Sequence, residues 1–335
     1  MIQELATYEA LAELSPEWSE LWDRSAGATP FQSPEWLLAW WRHLFCGGQM
    51  WTIAAREGGR LTALAPLFVY GQAGEPRRVA FIGAGVSDYS GILAESARAA
   101  QEVCSHIAAS STRWDICDFP EIRADSPLLS ASFAPLETQR CVSSVCPVVR
   151  LPATMAEFEA RLPPKFRHNL RNSRNRLRDA GAVLETALKG QDEEYVEALF
   201  RLHAARWRSK GEDGVLCSPA TQSFFREACR GFRRRGWLRF HGLRFQGKLC
   251  AIVCIFCSLR RSVYYIGGFA DELLRYSPGS AMIEFAIERA IAEQVREFDF
   301  LRLDEKYKYR WGATDRINTR VVIRTSESES SAAGR

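Results

Sequence analysis

An internal repeat constrains the fold of this chain more than any other feature of its sequence. Two segments, WTIAAREGGRLTALA and WLRFHGLRFQGKLCA, each begin with tryptophan and turn at a glycine. One constant shift along the chain pairs Arg56 with Arg244, Gly59 with Gly247 and Leu61 with Leu249. A Ser-Pro pair typical of a helix start precedes each segment, at Ser33 and Ser218. Any two hairpins can share a turn glycine, but the repeated order of helix, strand, turn and strand favours duplication.

The order of predicted elements indicates a mixed α/β fold with mixed sheets. In the first half, RRVAFIG and WDICDF are typical of strands that follow the hairpin. In the second half, SVYYIGGF predicts a strand, SAMIEFAIERAIAEQV a helix with one apolar face, and EFDFLRL a last strand. A chain of 335 residues exceeds one usual domain. We therefore expect two domains, at 1–150 and 151–325, and a disordered tail at 326–335.

Composition and charge exclude several classes of protein. A net charge of +4 is too small for binding polyanions through bulk electrostatics. The sequence has neither the basic start of a secretory signal nor a long uninterrupted apolar run, so we expect a cytoplasmic protein without stable membrane insertion. Its ten cysteines are scattered and are expected to be reduced. No spacing typical of metal ligands is present, and we expect no metal site.

The predicted helix after SVYYIGGF begins with a segment that suits an anion. Ser277 is suited to cap the helix, Pro278 fits its first turn, and Gly279 allows a ligand to approach the backbone closely. Unpaired N–H groups at a helix N-terminus bind anions such as a pyrophosphate. Because Ser-Pro-Gly also begins many helices that bind nothing, both interpretations stay open.

A basic helix is predicted within RLPPKFRHNLRNSRNRLR. Arg167, Arg171, Arg174 and Arg178 have the spacing of one helix face, beside an apolar line. This face suits the 3′-phosphate of CoA, a polyanionic glycan or the acceptor end of a tRNA. A solvated face that binds nothing is the alternative.

The second half resembles a known family in both its order of elements and its motifs. Strand, loop, glycine-bearing helix start, helix and strand follow one another as in the acyl-CoA region of the GNAT acetyltransferases. YSPGSA, at 276–281, is similar in its last four positions to their Q/R-x-x-G-x-G/A loop. FDFLRLDEKYKYRWGA resembles the closing segment of CelD/BcsL-type acetyltransferases, and KYKYRWG is similar to a Lys-centred segment of the FemAB aminoacyltransferases. The resemblance implies tandem GNAT-like domains in a FemAB-like arrangement.

The same resemblance implies a donor and the residues that hold it. The donor is acyl-CoA, expected to be acetyl-CoA, bound by the second domain. Its predicted contacts are at the helix start, namely Arg275, Tyr276, Ser277, Gly279, Ser280 and Ala281. SDY in the first half, and LHAARW in the second, also match the family's pieces. Predicted substrate contacts are therefore Tyr89, Arg167, Arg171, His203 and Trp207, although a hydrogen-bonded core histidine is an alternative for His203.

The candidate catalytic residues follow the last predicted strand, with one exception. Lys308 can stabilise an oxyanion or a donor phosphate, and Tyr307 matches the tyrosine with which GNAT enzymes protonate the departing thiolate. Asp304 or Glu305 can take a proton from the acceptor. Asp88 matches in kind the aspartate that FemAB-like enzymes bring to the acceptor from their first domain. Simple packing or solvent exposure is the alternative for each.

These features predict a GNAT-type N- or O-acyltransferase that moves an acyl group from acyl-CoA to an amine or hydroxyl acceptor. The expected acceptor is a sugar, glycan or amine, in polysaccharide or cell-envelope biosynthesis, and we expect it to bind between the two halves. Two alternatives remain: a FemAB-like transferase that uses aminoacyl-tRNA, and a catalytically silent protein that binds glycan or nucleic acid. A nucleic-acid partner is not expected for the acyl-CoA enzyme.

Overall fold

A computed structural model describes residues 1–208, 211 and 214–325 of the chain. Their contacts divide the chain into two compact units. Unit 1 contains Met1–Val145 and the chain from Arg316 onwards, and unit 2 contains Cys146–Asp315. The division at residue 150 into two functional domains stays a prediction. The predicted tail at 326–335 lies outside the described residues.

Unit 1 combines four helices with short strands in its described part. The helices are α1 (Tyr8–Glu13), α2 (Ser15–Arg24), α3 (Pro34–Leu44) and α4 (Ala97–Ala109). The strands are β1 (Ile2–Leu5), β2 (Gln49–Met50), β3 (Thr52–Glu57), β4 (Arg60–Ala65), β5 (Leu67–Tyr70), β6 (Arg78–Phe81), β7 (Leu93–Ala94), β8 (Ile116–Arg123) and β9 (Thr138–Arg150), whose last residues belong to unit 2.

Unit 2 alternates helices with longer strands. The helices are α5 (Met155–Arg161), α6 (Pro164–Asp179), α7 (Asp192–Arg208), α8 (Pro219–Arg234), α9 (Pro278–Ala292) and α10 (Lys306–Tyr309). The strands are β10 (Val183–Thr186), β11 (Leu238–Phe245), β12 (Lys248–Ser258), β13 (Arg261–Phe269), β14 (Glu297–Asp299) and β15 (Thr314–Arg324), which lies in unit 1 from Arg316 onwards. Together with unit 1, these elements confirm the predicted mixed α/β class.

The strands of unit 1 form one antiparallel sheet and a second, mixed series around an apolar core. One antiparallel sheet has the order β1-β3-β4-β7. A second series runs β2-β5-β6-β8, in which β6 and β8 are parallel, and β15 pairs antiparallel with β8. Helix α4 packs on β3 and β4, and its buried residues join the core around Trp114 and Phe119.

In unit 2, the strand order is β10-β11-β12-β13-β14, antiparallel except for the parallel pair β13 and β14. Helices α6 and α9 supply Leu170 and Ile287 to the core on one face of this sheet. The other face carries α7 and α8, where Tyr195 stacks on Phe240. Both faces are covered, which explains the nearly continuous apolar run of β12.

The repeat seen in the sequence is also a repeat in structure. Both hairpins, β3–β4 and β11–β12, have an irregularity of register just before the matched arginine. Each arginine then donates from Nη1 to the carbonyl of its turn glycine, over 2.8 Å from Arg56 to Gly59 and 3.1 Å from Arg244 to Gly247. Satisfying a turn carbonyl with a guanidinium explains why arginine and glycine recur together at this spacing.

The last predicted strand of unit 2, EFDFLRL, is shorter than expected. Strand β14 ends at Asp299, and the next residues leave the sheet, with Leu301 and Leu303 at positive φ. The Asp299 carboxylate accepts the N–H of Leu301 over 2.8 Å, which turns the chain away from the ladder. As a result β13 and β14 pair over three residues of each strand, at 261–263 and 297–299.

Candidate active site

The site begins where the two parallel strands of unit 2 part. Strand β13 continues to Phe269, while β14 has already ended, so residues 264–269 have no strand on that side among the described residues. Backbone groups on such an open edge are free to pair with an extended ligand that carries amides. We call the space between residues 264–269 and residues 300–303 the β13–β14 opening.

A β-bulge shapes the β13 side of this opening. Tyr264 pairs with Ile255 and the next pair joins Ile266 to Cys254, so Tyr265 is the extra residue. The bulge places Tyr264 on the same face as Gly267, whose missing side chain leaves room for the phenol. A Cβ built on Gly267 would lie 2.7 Å from the Tyr264 hydroxyl oxygen. Bulges of this kind re-aim side chains beside active sites.

Tyr307 lies next to Tyr264. Its ring meets Phe300 edge to face at 6.2 Å, and the ring of Tyr264 lies 6.1 Å from the same phenylalanine. Burial raises the pKa of Tyr307 well above its ordinary value, and the nearby Tyr264 and Glu305 raise it further, while Arg206 lowers it. A phenol that stays protonated at neutral pH is a hydrogen-bond donor and a proton source.

Lys308 is buried and its ammonium is already occupied. Nζ donates to the carbonyls of residues 301, 302 and 303, over 3.3, 2.6 and 2.9 Å. It also pairs with the Glu305 carboxylate at 2.7 Å. Lys308 therefore holds the irregular segment after β14 in shape, and an ammonium has no further proton to offer an oxyanion. The oxyanion role of Lys308 stays a prediction.

The two candidate carboxylates after β14 differ in their surroundings. Glu305 forms the ion pair with Lys308 and raises the pKa of Tyr307 and of Tyr264. Asp304 is exposed and raises the pKa of Tyr309, whose hydroxyl donates to Asp315. Glu305 is thus the one close to the tyrosines, and the role of either as a base stays a prediction.

Helix α9 begins at the predicted position with a different cap. Ser277 lies in the left-handed region at φ 54°, and its side chain makes no capping bond, contrary to the expected capping role. Its carbonyl instead accepts from the N–H groups of Ser280 and Ala281, over 3.1 and 3.2 Å. Pro278 has no N–H, so Gly279 contributes the N–H of this turn that lacks a partner in the described chain.

Two arginine side chains lie at Tyr276, the residue before this turn. Tyr276 ends a 3-10 helix (Asp271–Tyr276), and its carbonyl accepts a hydrogen bond from Ser173 on α6. The guanidinium of Arg275 lies 4.7 Å from the centre of the Tyr276 ring, and that of Arg176 lies 5.4 Å from it. Of the predicted donor contacts, Arg275, Tyr276 and Gly279 therefore lie at one place, beside helix α6.

Most arginines of the predicted stripe on α6 have partners. Arg174 pairs with the buried Glu284 of α9 at 3.0 Å, and Arg178 with Asp179 at 3.3 Å. Arg167 donates to the carbonyl of Glu159 over 3.2 Å. Arg171 is exposed and, like Arg176, has no ion pair within the residues that the structure covers. The free positive charge of α6 is thus smaller than the sequence suggests.

Helix α7 contributes three residues behind β13. His203 is buried against the backbone of Gly268, and its Nδ1 has no hydrogen-bond partner in the described ranges. Burial, with the nearby Arg206, lowers the pKa of His203 to about 4, so the ring is neutral. Trp207 lies 5.9 Å from it, and the Arg206 guanidinium covers the ring of Phe269 at 4.4 Å. Substrate contacts by His203 and Trp207 stay a prediction.

The first-half candidates lie in unit 1. Asp88 is half-buried, and its carbonyl accepts from the Asn318 side chain over 3.1 Å. Tyr89 is buried, with the Arg123 guanidinium 5.4 Å from its ring centre. Tyr89 and Arg123 line a small cavity with Gln32, whose amide donates to backbone carbonyls of the neighbouring loop.

A buried polar network beside Asp88 was missed by sequence reasoning. Glu121 lies at an irregular point of β8 with φ 60°, a strained conformation for glutamate. Its carboxylate accepts hydrogen bonds from Ser143, Ser144 and Asn318. The side chain of Asn318 is completely buried and joins Glu121 to the carbonyl of Asp88. The network fixes the backbone at Asp88.

Two further observations concern the described residues as a whole. They contain no cluster of three histidine, cysteine, aspartate or glutamate side chains arranged to hold a metal ion. None of their helices combines the length and the apolar character that crossing a bilayer requires.

Comparison with known proteins was made by sequence and by fold. Residues 164–309 match the family described as acetyltransferase (GNAT) domain. No curated protein matches the chain by sequence. The fold is similar to the crystal structure of FemX, with TM-score 0.69, 10% identity and 100% of each chain covered.

Two more solved structures share the fold. L-PGS from Bacillus licheniformis has TM-score 0.56 and 12% identity, covering 88% of this chain and 92% of its own. A conserved protein of unknown function from Bacteroides thetaiotaomicron has TM-score 0.58 and 12% identity, covering 97% and 100%. Such low identities show the fold alone. The chain therefore has a tandem GNAT fold similar to that of FemX, and residues 164–309 in its second half match the acetyltransferase (GNAT) domain family.

Proposed function

We propose that this protein transfers an acetyl group from acetyl-CoA to an amine or hydroxyl acceptor, and that unit 2 binds the donor. The observation that carries the proposal is the β13–β14 opening. Strand β13, which borders the opening, ends at Phe269, and the ring of Phe269 lies next to Gly279 at the start of α9. An extended, amide-bearing arm fits the open edge of β13. An anionic group fits the Gly279 N–H and the Arg275 guanidinium at the start of α9.

The chemistry that we propose is direct transfer. The acceptor nucleophile attacks the thioester carbonyl, a carboxylate takes its proton, and the carbon–sulfur bond breaks. Tyr307 gives its proton to the departing thiolate, because it lies at the β13–β14 opening beside Phe300 and its raised pKa means that the hydroxyl carries a proton at neutral pH. We assign the proton-accepting role to Asp88, because the Asn318–Glu121 network holds its backbone in a defined position.

The biological setting that we propose is the synthesis of a polysaccharide or another cell-envelope component. Support comes from the resemblance of FDFLRLDEKYKYRWGA to CelD/BcsL-type acetyltransferases and from the likeness of fold to FemX and L-PGS. The expected acceptor is a sugar, glycan or amine that presents one reactive amine or hydroxyl group.

Gly279→Glu tests the donor assignment. A Cβ at Gly279 meets the ring of Phe269 at an ordinary 3.4 Å, so a side chain can be accommodated. An acid in the first turn favours the helix, so the fold should be preserved. The added carboxylate repels a phosphate that approaches the same N–H. We expect acetyl-CoA affinity, measured by calorimetric titration, to fall at least about tenfold.

Ala292→Glu is the matched control, because it adds the same charge at the exposed far end of α9. Its acetyl-CoA affinity should equal that of the unaltered protein. Equal affinity in a well-folded Gly279→Glu variant would remove the start of α9 from the donor site.

An aminoacyl-tRNA donor is the second candidate, favoured by the exposed Arg171 and Arg176 on α6, of which Arg176 lies with Arg275 at the ring of Tyr276. It predicts that bulk tRNA binding weakens steeply between about 50 and 200 mM salt. Changing Arg171 and Arg176 together to Gln should then lower the slope by about one per lost phosphate contact. Arg174→Gln should alter it less, since Arg174 pairs with Glu284.

The measurement is tRNA affinity by fluorescence anisotropy over a range of salt concentrations. A salt slope that is the same in all of these proteins would exclude α6 as a tRNA-binding surface and leave acetyl-CoA as the donor.

A further inference from the structure

Two tyrosine hydroxyls face the β13–β14 opening without hydrogen-bond partners. Neither Tyr264 nor Tyr307 has a partner for its hydroxyl among residues 1–208, 211 and 214–325, although Tyr264 packs against the core of unit 2. Tyr307 is partly exposed, at 37%, and Tyr264 is half-buried, so a ligand can reach both rings. Because no group of the described residues takes up either hydroxyl, each is available to a group that a ligand supplies at the place where the two strands part.

Two features of β13 set the direction of the Tyr264 side chain at the β13–β14 opening. The bulge at Tyr265 breaks the ladder, and the glycine at 267 gives up a side chain on the same face. Without the bulge, residue 264 would lie on the face opposite Gly267, because side chains alternate along a strand. A bulge and a glycine each weaken a sheet. Here both are needed for the Tyr264 ring to take its observed direction.

The role of oxyanion donor is open in this site. Lys308 carries a suitable charge, but three carbonyls and Glu305 already take up its ammonium. The Arg206 guanidinium packs on the ring of Phe269, at the end of β13. Tyr264 stands next to Tyr307, the group assigned to the leaving thiolate, and so is within reach of the carbonyl bonded to that sulfur.

We propose that Tyr264 is a further catalytic residue, whose hydroxyl donates a hydrogen bond to the oxygen of the donor's reacting carbonyl. This inference rests on the proposed acetyl-CoA donor. When the acceptor attacks, the carbonyl electron pair moves onto oxygen, and the Tyr264 hydrogen bond strengthens without transfer of its proton. The pair then returns, the carbon–sulfur bond breaks, and the thiolate takes the proton of Tyr307.

The groups around Tyr264 keep it in the form that can donate. Burial raises its pKa to about 12, and Glu305 raises it while Arg206 lowers it. The hydroxyl is thus protonated throughout the neutral range. A donor whose orientation is already set by the bulge and by Gly267 needs little reorganisation during the reaction.

The test uses the full chain with acetyl-CoA labelled with carbon-13 at the carbonyl. Infrared difference spectra report the hydrogen bonding of that carbonyl directly. In the unaltered protein we expect the carbonyl stretch of the bound donor to move to lower frequency than in Tyr264→Phe. Acetyl-CoA affinity should stay within about threefold, while kcat for release of free CoA falls about tenfold or more.

Gly267→Ala provides a second variant, because its Cβ at 2.7 Å must displace the Tyr264 hydroxyl. It should move the carbonyl stretch in the same direction as Tyr264→Phe. Tyr265→Phe is the matched control: its ring stacks on Phe256, on the other face of β13. Its spectrum and kcat should equal those of the unaltered protein.

The outcomes separate the two proposals. If acetyl-CoA does not bind the unaltered protein, the donor assignment and this inference are both overturned. If acetyl-CoA binds and the carbonyl stretch is the same in Tyr264→Phe and Gly267→Ala as in the unaltered protein, the catalytic role of Tyr264 is overturned while the donor assignment stands.

Discussion

Replacing Lys308 with methionine is expected to lower the free energy of unfolding by about 3–5 kcal/mol. The ammonium holds three backbone carbonyls in a segment where Leu301 and Leu303 already have positive φ. Methionine fills a similar volume but leaves those carbonyls and the Glu305 carboxylate without their donor. Each bond to a charged group contributes about 1.5–3 kcal/mol, so the loss exceeds that of an ordinary surface ion pair.

Urea denaturation of the variant and of Lys306→Met would measure this effect. Lys306 is exposed and precedes Lys308 on the same short helix, so its replacement should change stability by less than about 0.5 kcal/mol. Loss of turnover in Lys308→Met without loss of stability would show that Lys308 acts on the substrate, as the sequence predicts, more than on the fold.

The parts of the fold that could be predicted depend on neighbouring residues. The turn glycines, the Ser-Pro helix starts and the apolar face of α9 express local preferences, and they reveal the repeated hairpin even without an alignment. The pairing of Arg56 with its turn carbonyl is of the same kind, because donor and acceptor are three residues apart.

The end of β14 could not be predicted, because it depends on contacts made elsewhere. EFDFLRL is rich in apolar residues and is, from the sequence alone, typical of a full strand. The Asp299 carboxylate and the ammonium of Lys308 take the backbone groups that a longer strand would use. The bulge at Tyr265 is equally hidden, since nothing in SVYYIGGF distinguishes an extra residue from a regular one. Together these two features create the β13–β14 opening.

The free positive charge of α6 was overestimated from the sequence, because partners of its arginines also come from distant parts of the chain. The arginine stripe of α6 has correct helical spacing, but Arg174 is neutralised by Glu284, which lies 110 positions away. In unit 1, Glu121 gave no signal at all, because its partners come from strands that only the fold brings together. Its positive φ is a property of the bulged strand and has no sequence signature in a glutamate.

Replacing Asp88 with asparagine is the second prediction with a large expected effect. Asparagine preserves the shape of the side chain and the carbonyl that Asn318 holds at 3.1 Å, so the fold of unit 1 should persist. It removes the negative charge and the ability to take a proton. We expect turnover to fall about a hundredfold, the usual scale for loss of a positioned general base.

The effect of Asp88→Asn on turnover is measured as the release of free CoA, with the fastest acceptor from a panel of amines and sugars. Donor binding is measured by calorimetric titration. Acetyl-CoA affinity should be unchanged, since the donor contacts are assigned to unit 2. Asp118→Asn is the control, because that aspartate lies in the same unit and pairs with Arg320 at its surface. Full turnover in Asp88→Asn would return the search for the base to Glu305, the carboxylate that lies beside the two tyrosines.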